Sequence, residues 1–142
     1  MKSDIKLYKH KINVEVRFSD LDAMQHVNNA RYLTYIEEAR IAYFNEVFKR
    51  EKSSLKYTAI VAKIEIDYLQ PINLGDKVEV FTRVSKLGNK SSDVENLIMI
   101  ERDGNKFAAA SALTKLVAYD YKKLQSIPIP EDLRTLIEEF EK

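Results

Sequence analysis

Between Arg17 and Asn29 the chain reads RFSDLDAMQHVNN, which gathers two aspartates, one histidine and two asparagines into one short segment. The segment lies where an alternating apolar run passes into a run with helical spacing. A helix start presents unpaired backbone N–H groups and the positive end of the helix dipole, a combination that stabilises an oxyanion. A carboxylate beside it, Asp20 or Asp22, is then placed to orient or deprotonate a water for attack on a polarised carbonyl carbon. The same residues have structural uses: Asp20 and Asp22 suit Asx turns, and Asn28 or Asn29 suits a helix cap. His26 alone specifies no catalysis.

Other chemistries are excluded by what the chain lacks. With no cysteine there is no thiolate nucleophile, thiolate metal ligand or disulfide framework. His10 and His26 are the only histidines, and the sequence contains no GxSxG, GxxxxGK[ST], GxGxxG or HExxH motif. A carboxylate mechanism that needs no metal is what remains. A formal net charge of +1 gives no global field to attract nucleic acid or an anionic membrane. Four lysines break up the first eleven residues, and no run approaches the ~20 apolar residues of a membrane-spanning helix, so a cytoplasmic location is expected.

The elements that must position the polar segment are legible from periodicity. Ile12, Val14, Val16 and Phe18 alternate as a first strand. Tyr32, Ile36, Ala39, Tyr43 and Val47 recur in steps of three and four, which predicts an amphipathic helix over 30–48, about 28 Å long. Ile60, Ala62, Ile64, Ile66 and Tyr68 alternate again, as do Val78, Val80, Thr82 and Val84. Val94, Ile98 and Ile100 form a further run in which Asn96 interrupts the apolar face, and residues 107–119 read as a strand rich in small side chains. Gly75, Gly88 and Gly104 sit in the polar breaks between these runs, which predicts an antiparallel meander. After Pro130, Glu131 and Asp132 open a short terminal helix with Leu133, Leu136, Ile137 and Phe140 as its stripe. One helix on one sheet is an α+β arrangement, expected to form a single domain over 1–142. One helix leaves sheet edges uncovered, which predicts a homodimer or homotetramer.

VRFSDLDAMQHVNNARYLTYIEEAR resembles the signature of acyl-CoA thioesterases of the 4-hydroxybenzoyl-CoA type, and the likeness continues through YLQPINLGDKVEV and GNKSS. The resemblance implies a hot-dog fold, an antiparallel five-stranded sheet wrapped around one long central helix, and hydrolysis of an acyl-CoA or related acyl thioester. By position it makes Asp22 the catalytic carboxylate and Asn29 the residue whose backbone N–H polarises the thioester carbonyl. It also makes His26 a residue that places substrate or water, and Lys86, Lys90 and Ser91 a segment contacting the nucleotide end of CoA. CoA is then part of the substrate, and no cofactor or metal is expected. The chain departs from the pattern at Gln25, where many relatives have glycine, at Leu21, where a smaller residue is common, and at Ser92, where an aromatic often stands.

Three rival readings start from the same residues. Hot-dog folds also support dehydratases and hydratases of acyl thioesters, and the hydratase branch pairs an aspartate with a histidine five positions later, whereas Asp22 and His26 are four apart, which disfavours hydration. Another thioesterase branch carries its carboxylate on the central helix, which makes Glu37 or Glu38 the rival base; Glu37 is also spaced to pair with Arg40. A non-catalytic acyl-CoA-binding module would keep the groove and dispense with a base such as Asp22. Tyr32, Tyr35 and Tyr57 are candidates for lining the acyl pocket, with core packing as their alternative use.

Overall fold

The computed structural model describes residues 4–48 and 58–142. β1 (His10–Val14) leads through a 3-10 turn (Phe18–Asp20) into α1 (Asn29–Phe48), followed by β2 (Ala59–Tyr68), β3 (Lys77–Leu87), β4 (Ser91–Arg102) and β5 (Asn105–Asp120). A two-residue β6 (Gln125–Ser126) pairs with the end of β5, and α2 (Glu131–Glu141) closes the chain. The long helix and the terminal helix both fall where their periodicity placed them. β1 is shorter than the apolar run that suggests it, because Phe18 opens the 3-10 turn with its ring in solvent.

The main sheet has five antiparallel strands in the order β1-β3-β4-β5-β2. The meander expected from the three glycines is therefore only partly present. Gly88 and Gly104 turn consecutive, paired strands, but β2 pairs with β5 rather than with β3. Gly75 stands instead in a turn of the crossing segment, at φ 94°, a left-handed conformation that glycine adopts without steric cost.

α1 lies in the concave face of this curled sheet. Tyr32, Tyr35, Ile36, Ala39, Tyr43 and Val47 are its buried stripe. They pack against Val78, Val80, Ile98, Ile100 and Ala112 at one end and against Val84, Val94 and Leu116 at the other. Burying one side chain such as Ile36 contributes about 1.5–3 kcal/mol, so the stripe anchors the helix and with it the loop that precedes it. Asn96 is fully buried on this face, and its amide donates to Thr82 Oγ1 (2.8 Å) and to the Phe81 carbonyl (3.2 Å). The residue that interrupts the apolar pattern is thus a hydrogen-bonded core residue. At the far end α2 is bolted down by Glu141, whose Oε2 accepts from the Tyr43 hydroxyl (2.6 Å) and the Val84 N–H (3.0 Å).

β2 departs from its expected facing. A register shift around Ala62 puts Val61, rather than Ile60, on the same face as Ile64, Ile66 and Tyr68. That face is largely uncovered: Val61, Ile64 and Tyr68 are exposed, and among the described residues β2 pairs with a strand on one side only. Among the described residues no helix is long and apolar enough to cross a membrane.

Candidate active site

The segment that carries the polar residues folds as a miniature hairpin held at both ends. Leu21 and Val27 form an isolated antiparallel bridge, the Asp22 N–H donates to the His26 carbonyl (3.0 Å), and the Gln25 N–H donates back to the Asp22 carbonyl (2.9 Å). Gln25 adopts φ 63° at the tip. The left-handed region favours glycine, so the departure at this position keeps the loop's shape at a cost of about 1–2 kcal/mol. The Val27 N–H donates to the carbonyl of the buried Ile72 (2.8 Å), tying the hairpin to the segment before β3.

Beneath the hairpin sits Asp20, which is buried. Its Oδ2 accepts from the Arg17 N–H (3.0 Å) and the Tyr35 hydroxyl (2.6 Å), and Arg31 Nε stands 3.7 Å from Oδ1. Burial alone would raise the Asp20 carboxyl, but the Tyr35 and Arg17 hydrogen bonds and the nearby guanidinium outweigh it and hold the group below its ordinary value. The Asp20 carbonyl accepts from the Asn28 N–H (2.9 Å), and Asn28 caps α1 by accepting from the Ala30 N–H at Oδ1 (2.9 Å). Of the two aspartates, Asp20 is the structural one.

The two carboxylate oxygens of Asp22 differ in their surroundings. Its Oδ1 accepts from the Met24 N–H (2.9 Å), an Asx turn, while Oδ2 has no partner among the described residues. The side chain faces an open cleft of about 620 Å³ that Asp22 shares with His26, Phe18, Met24, Asn73 and Leu74. That volume is within the range of small-molecule sites. Phe18, Met24 and Leu74 form an apolar rim around the carboxylate, respectively 79%, 76% and 51% exposed.

Asn29 is the first residue of α1, and its N–H has no acceptor among the described residues, as expected one position after the cap. It is not among the residues lining the cleft. Its carbonyl accepts from the Tyr68 hydroxyl (3.2 Å), which joins the helix start to the end of β2. Tyr32 and Tyr35 are buried and bonded to the Gln70 carbonyl and to Asp20, so they brace the core instead of lining a pocket. Tyr57 lies outside the described residues.

Lys86, Lys90 and Ser91 are not brought to this cleft within one chain. They occupy the β3–β4 hairpin, and Asp22 lies at the other end of the sheet, beside the turn that enters β3 at Lys77. Eleven residues of β3 separate the two regions, on the order of 35 Å. Glu37 pairs with Arg40 at 4.0 Å and lines a separate groove with Ile41, Phe44 and Val61. Residue type alone does not single out Asn73. The NLGD turn between Asn73 and Asp76 is visible as a turn, yet nothing in it signals that residue 73 meets residue 26. Among the described residues no cluster of three or more His, Asp or Glu side chains is arranged to hold a metal ion.

A curled antiparallel sheet wrapped around one long helix is the hot-dog arrangement. Residues 16–137 match the sequence pattern of the thioesterase-like superfamily. The chain is 32% identical to the long-chain acyl-CoA thioesterase FadM of Escherichia coli K12, over 91% of this chain and 97% of that protein. Its structure superposes, with a TM-score of 0.79 and 39% identity, on a thioesterase of Thermus thermophilus crystallised with coenzyme A and Zn, covering 94% of this chain and 95% of that one. A 4-hydroxybenzoyl-CoA thioesterase variant complexed with 4-hydroxybenzoyl-CoA shares the fold at a TM-score of 0.80 and 15% identity, over 90% and 97% of the two chains. The chain belongs to the thioesterase-like superfamily: it is a hot-dog thioesterase.

Proposed function

We propose that this thioesterase hydrolyses an acyl-CoA, or a closely related acyl thioester, by a water that Asp22 activates. The observation that carries the reading is Oδ2 of Asp22, which has no partner among the described residues and opens to a cleft whose rim is apolar. The thioester reaches beyond the cleft to the start of α1, where its carbonyl oxygen rests against the Asn29 N–H and the helix start stabilises negative charge. Asp22 takes a proton from water, and the resulting hydroxide oxygen bonds to the carbonyl carbon. The tetrahedral intermediate collapses as the C–S bond breaks, its electron pair leaving with sulfur. The proton held by Asp22 then neutralises the thiolate, and the free acid departs. General base assistance contributes about 10²- to 10⁴-fold, and one oxyanion donor about 10²- to 10³-fold. No metal or cofactor is required by these steps, and a cytoplasmic location accords with a CoA-linked substrate. A screen of short, long and aromatic acyl-CoAs by thiol release tests the activity; a chain that binds these esters and releases no thiol would be a binding module.

The working unit in this proposal is a dimer in which two copies pair along β2. Val61, Ile64 and Tyr68 then bury their exposed apolar surface, and the free strand edge gains hydrogen-bonding partners. The geometry of one chain says what such pairing accomplishes. Tyr68, at one end of β2, touches Asn29, while Ala59, at the other end, adjoins Ala118, whose N–H donates to the Lys90 carbonyl (2.8 Å). Antiparallel pairing of β2 with its copy brings the second chain's Lys86, Lys90 and Ser91 region toward the first chain's helix start, so cationic and catalytic groups meet across the interface. Ile64→Lys is expected to convert the protein to a monomer in sedimentation and to lose CoA affinity in parallel. A monomer that keeps full activity would refute the shared site.

A further inference from the structure

We infer that Asn73 is a positioning residue that fixes the tautomer of His26 and so makes its ring a hydrogen-bond acceptor in the cleft. The inference rests on the hydrolytic reading above for its catalytic meaning, but not for its geometry. Asn73 Oδ1 lies 2.8 Å from His26 Nδ1. An amide oxygen only accepts, so Nδ1 carries the hydrogen and Nε2 of the neutral ring keeps its lone pair. Nε2 has no partner among the described residues, and His26 lines the cleft beside Asp22.

Asn73 is itself held rigidly. Its backbone N–H donates to Asp76 Oδ2 (2.8 Å), and its carbonyl accepts from the Asp76 N–H (3.1 Å). The buried Asp76 is gripped through both oxygens by Arg102, Nε to Oδ1 at 2.8 Å and Nη2 to Oδ2 at 2.7 Å. Arg102 Nη2 also donates to the Pro71 carbonyl (3.1 Å), and its guanidinium lies over the Phe107 ring at 5.3 Å. Burial would raise the Asp76 carboxyl, but the Arg102 and Asn73 contacts keep it below its ordinary value, so the grip is a charged one. A bidentate ion pair, a turn and an amide thus connect β4 to the His26 ring.

The consequence separates two roles for His26. With Nε2 as an acceptor, the ring orients the attacking water alongside Asp22; it does not donate to the thioester carbonyl or to the departing thiolate. Donation to the carbonyl is left to backbone N–H groups at the helix start.

Nitrogen-15 NMR of histidine-labelled protein at about pH 8, where an ordinary imidazole is neutral, reads the tautomer directly. Only two imidazoles contribute, and His10, packed edge-on against Tyr43 at 5.7 Å, serves as an internal reference for an intact fold. The expected result is an Nδ1–H tautomer for His26 in the parent and in Asn73→Asp, which retains an acceptor, and loss of that preference in Asn73→Leu. Asn73→Leu is expected to lower kcat about tenfold or more with KM nearly unchanged. An Nε2–H tautomer in the parent protein, or an unaltered tautomer in Asn73→Leu with the His10 signals in place, would overturn the assignment. The parent spectrum decides even where a variant fails to fold. Because it is recorded without turnover, failure to hydrolyse any thioester would remove the functional proposal and leave the tautomer standing.

Discussion

Replacing Asp22 with asparagine is expected to lower kcat for acyl-CoA hydrolysis by about 10²- to 10⁴-fold while leaving KM and Tm close to those of the parent. The substitution is clean because of how the carboxylate is divided. Oδ1 braces the hairpin by accepting from the Met24 N–H, and an asparagine Oδ1 accepts the same bond. What the amide cannot do is take a proton from water at the second position. Asp22→Ala would remove brace and base together and confuse the two. Glu37→Gln is the companion control, since Glu37 lies in another groove and pairs with Arg40. If Asp22→Asn turns over substrate like the parent while Glu37→Gln fails, the base has been placed on the wrong element.

Removing the other aspartate should act on stability first. Asp20→Ala leaves the Tyr35 hydroxyl and the Arg17 N–H without their acceptor beneath the hairpin. Unsatisfied buried groups cost about 1–3 kcal/mol each, so a loss of roughly 3 kcal/mol is expected. At a few degrees per kcal/mol, Tm should fall by about 10 °C. Activity falls too, because the Arg17 and Tyr35 bonds to the Asp20 carboxylate brace the loop that carries Asp22 two residues on.

The pH dependence has a definite sign. The folded-state value of Asp20 lies below its unfolded value of 3.8, so its charge stabilises the fold fully above that value. The contribution is lost as pH falls through the lower, folded-state value. Asp20→Asn should therefore be less stable than the parent at pH 7, with the gap closing as both are titrated below pH 4. Urea unfolding at a series of pH values measures this. A gap that stays constant across the acid range would mean that the charge of Asp20 does no work.

The amino-acid order alone determined the parts that depend on neighbours in the chain. Steps of three and four between Tyr32 and Val47 placed α1 within one residue of its start, because a helix closes its hydrogen bonds locally and shows its buried face every turn. Alternation located the strands, and the density of polar groups between β1 and α1 marked the segment that became the cleft wall. Asx and capping chemistry within residues 20–30 was legible for the same reason. Spacing alone left Asp20 and Asp22 equivalent and only the family resemblance preferred Asp22, because what ties Asp20 into the loop is Tyr35 and Arg31 closing over it.

Only the tertiary structure decided what involves long separations. Turn residues mark where a chain bends but not which strand it pairs with, so Gly75 suggested a hairpin where β2 had already crossed to β5. The outer position of β2 left Val61, Ile64 and Tyr68 uncovered, and a shift at Ala62 changed which side chains share its face. His26 and Asn73 are 47 residues apart, and each looks ordinary on its own stretch. Their meeting depends on the Val27–Ile72 bond and on Arg102 holding the turn in place, contacts that exist only once the sheet has closed around its helix.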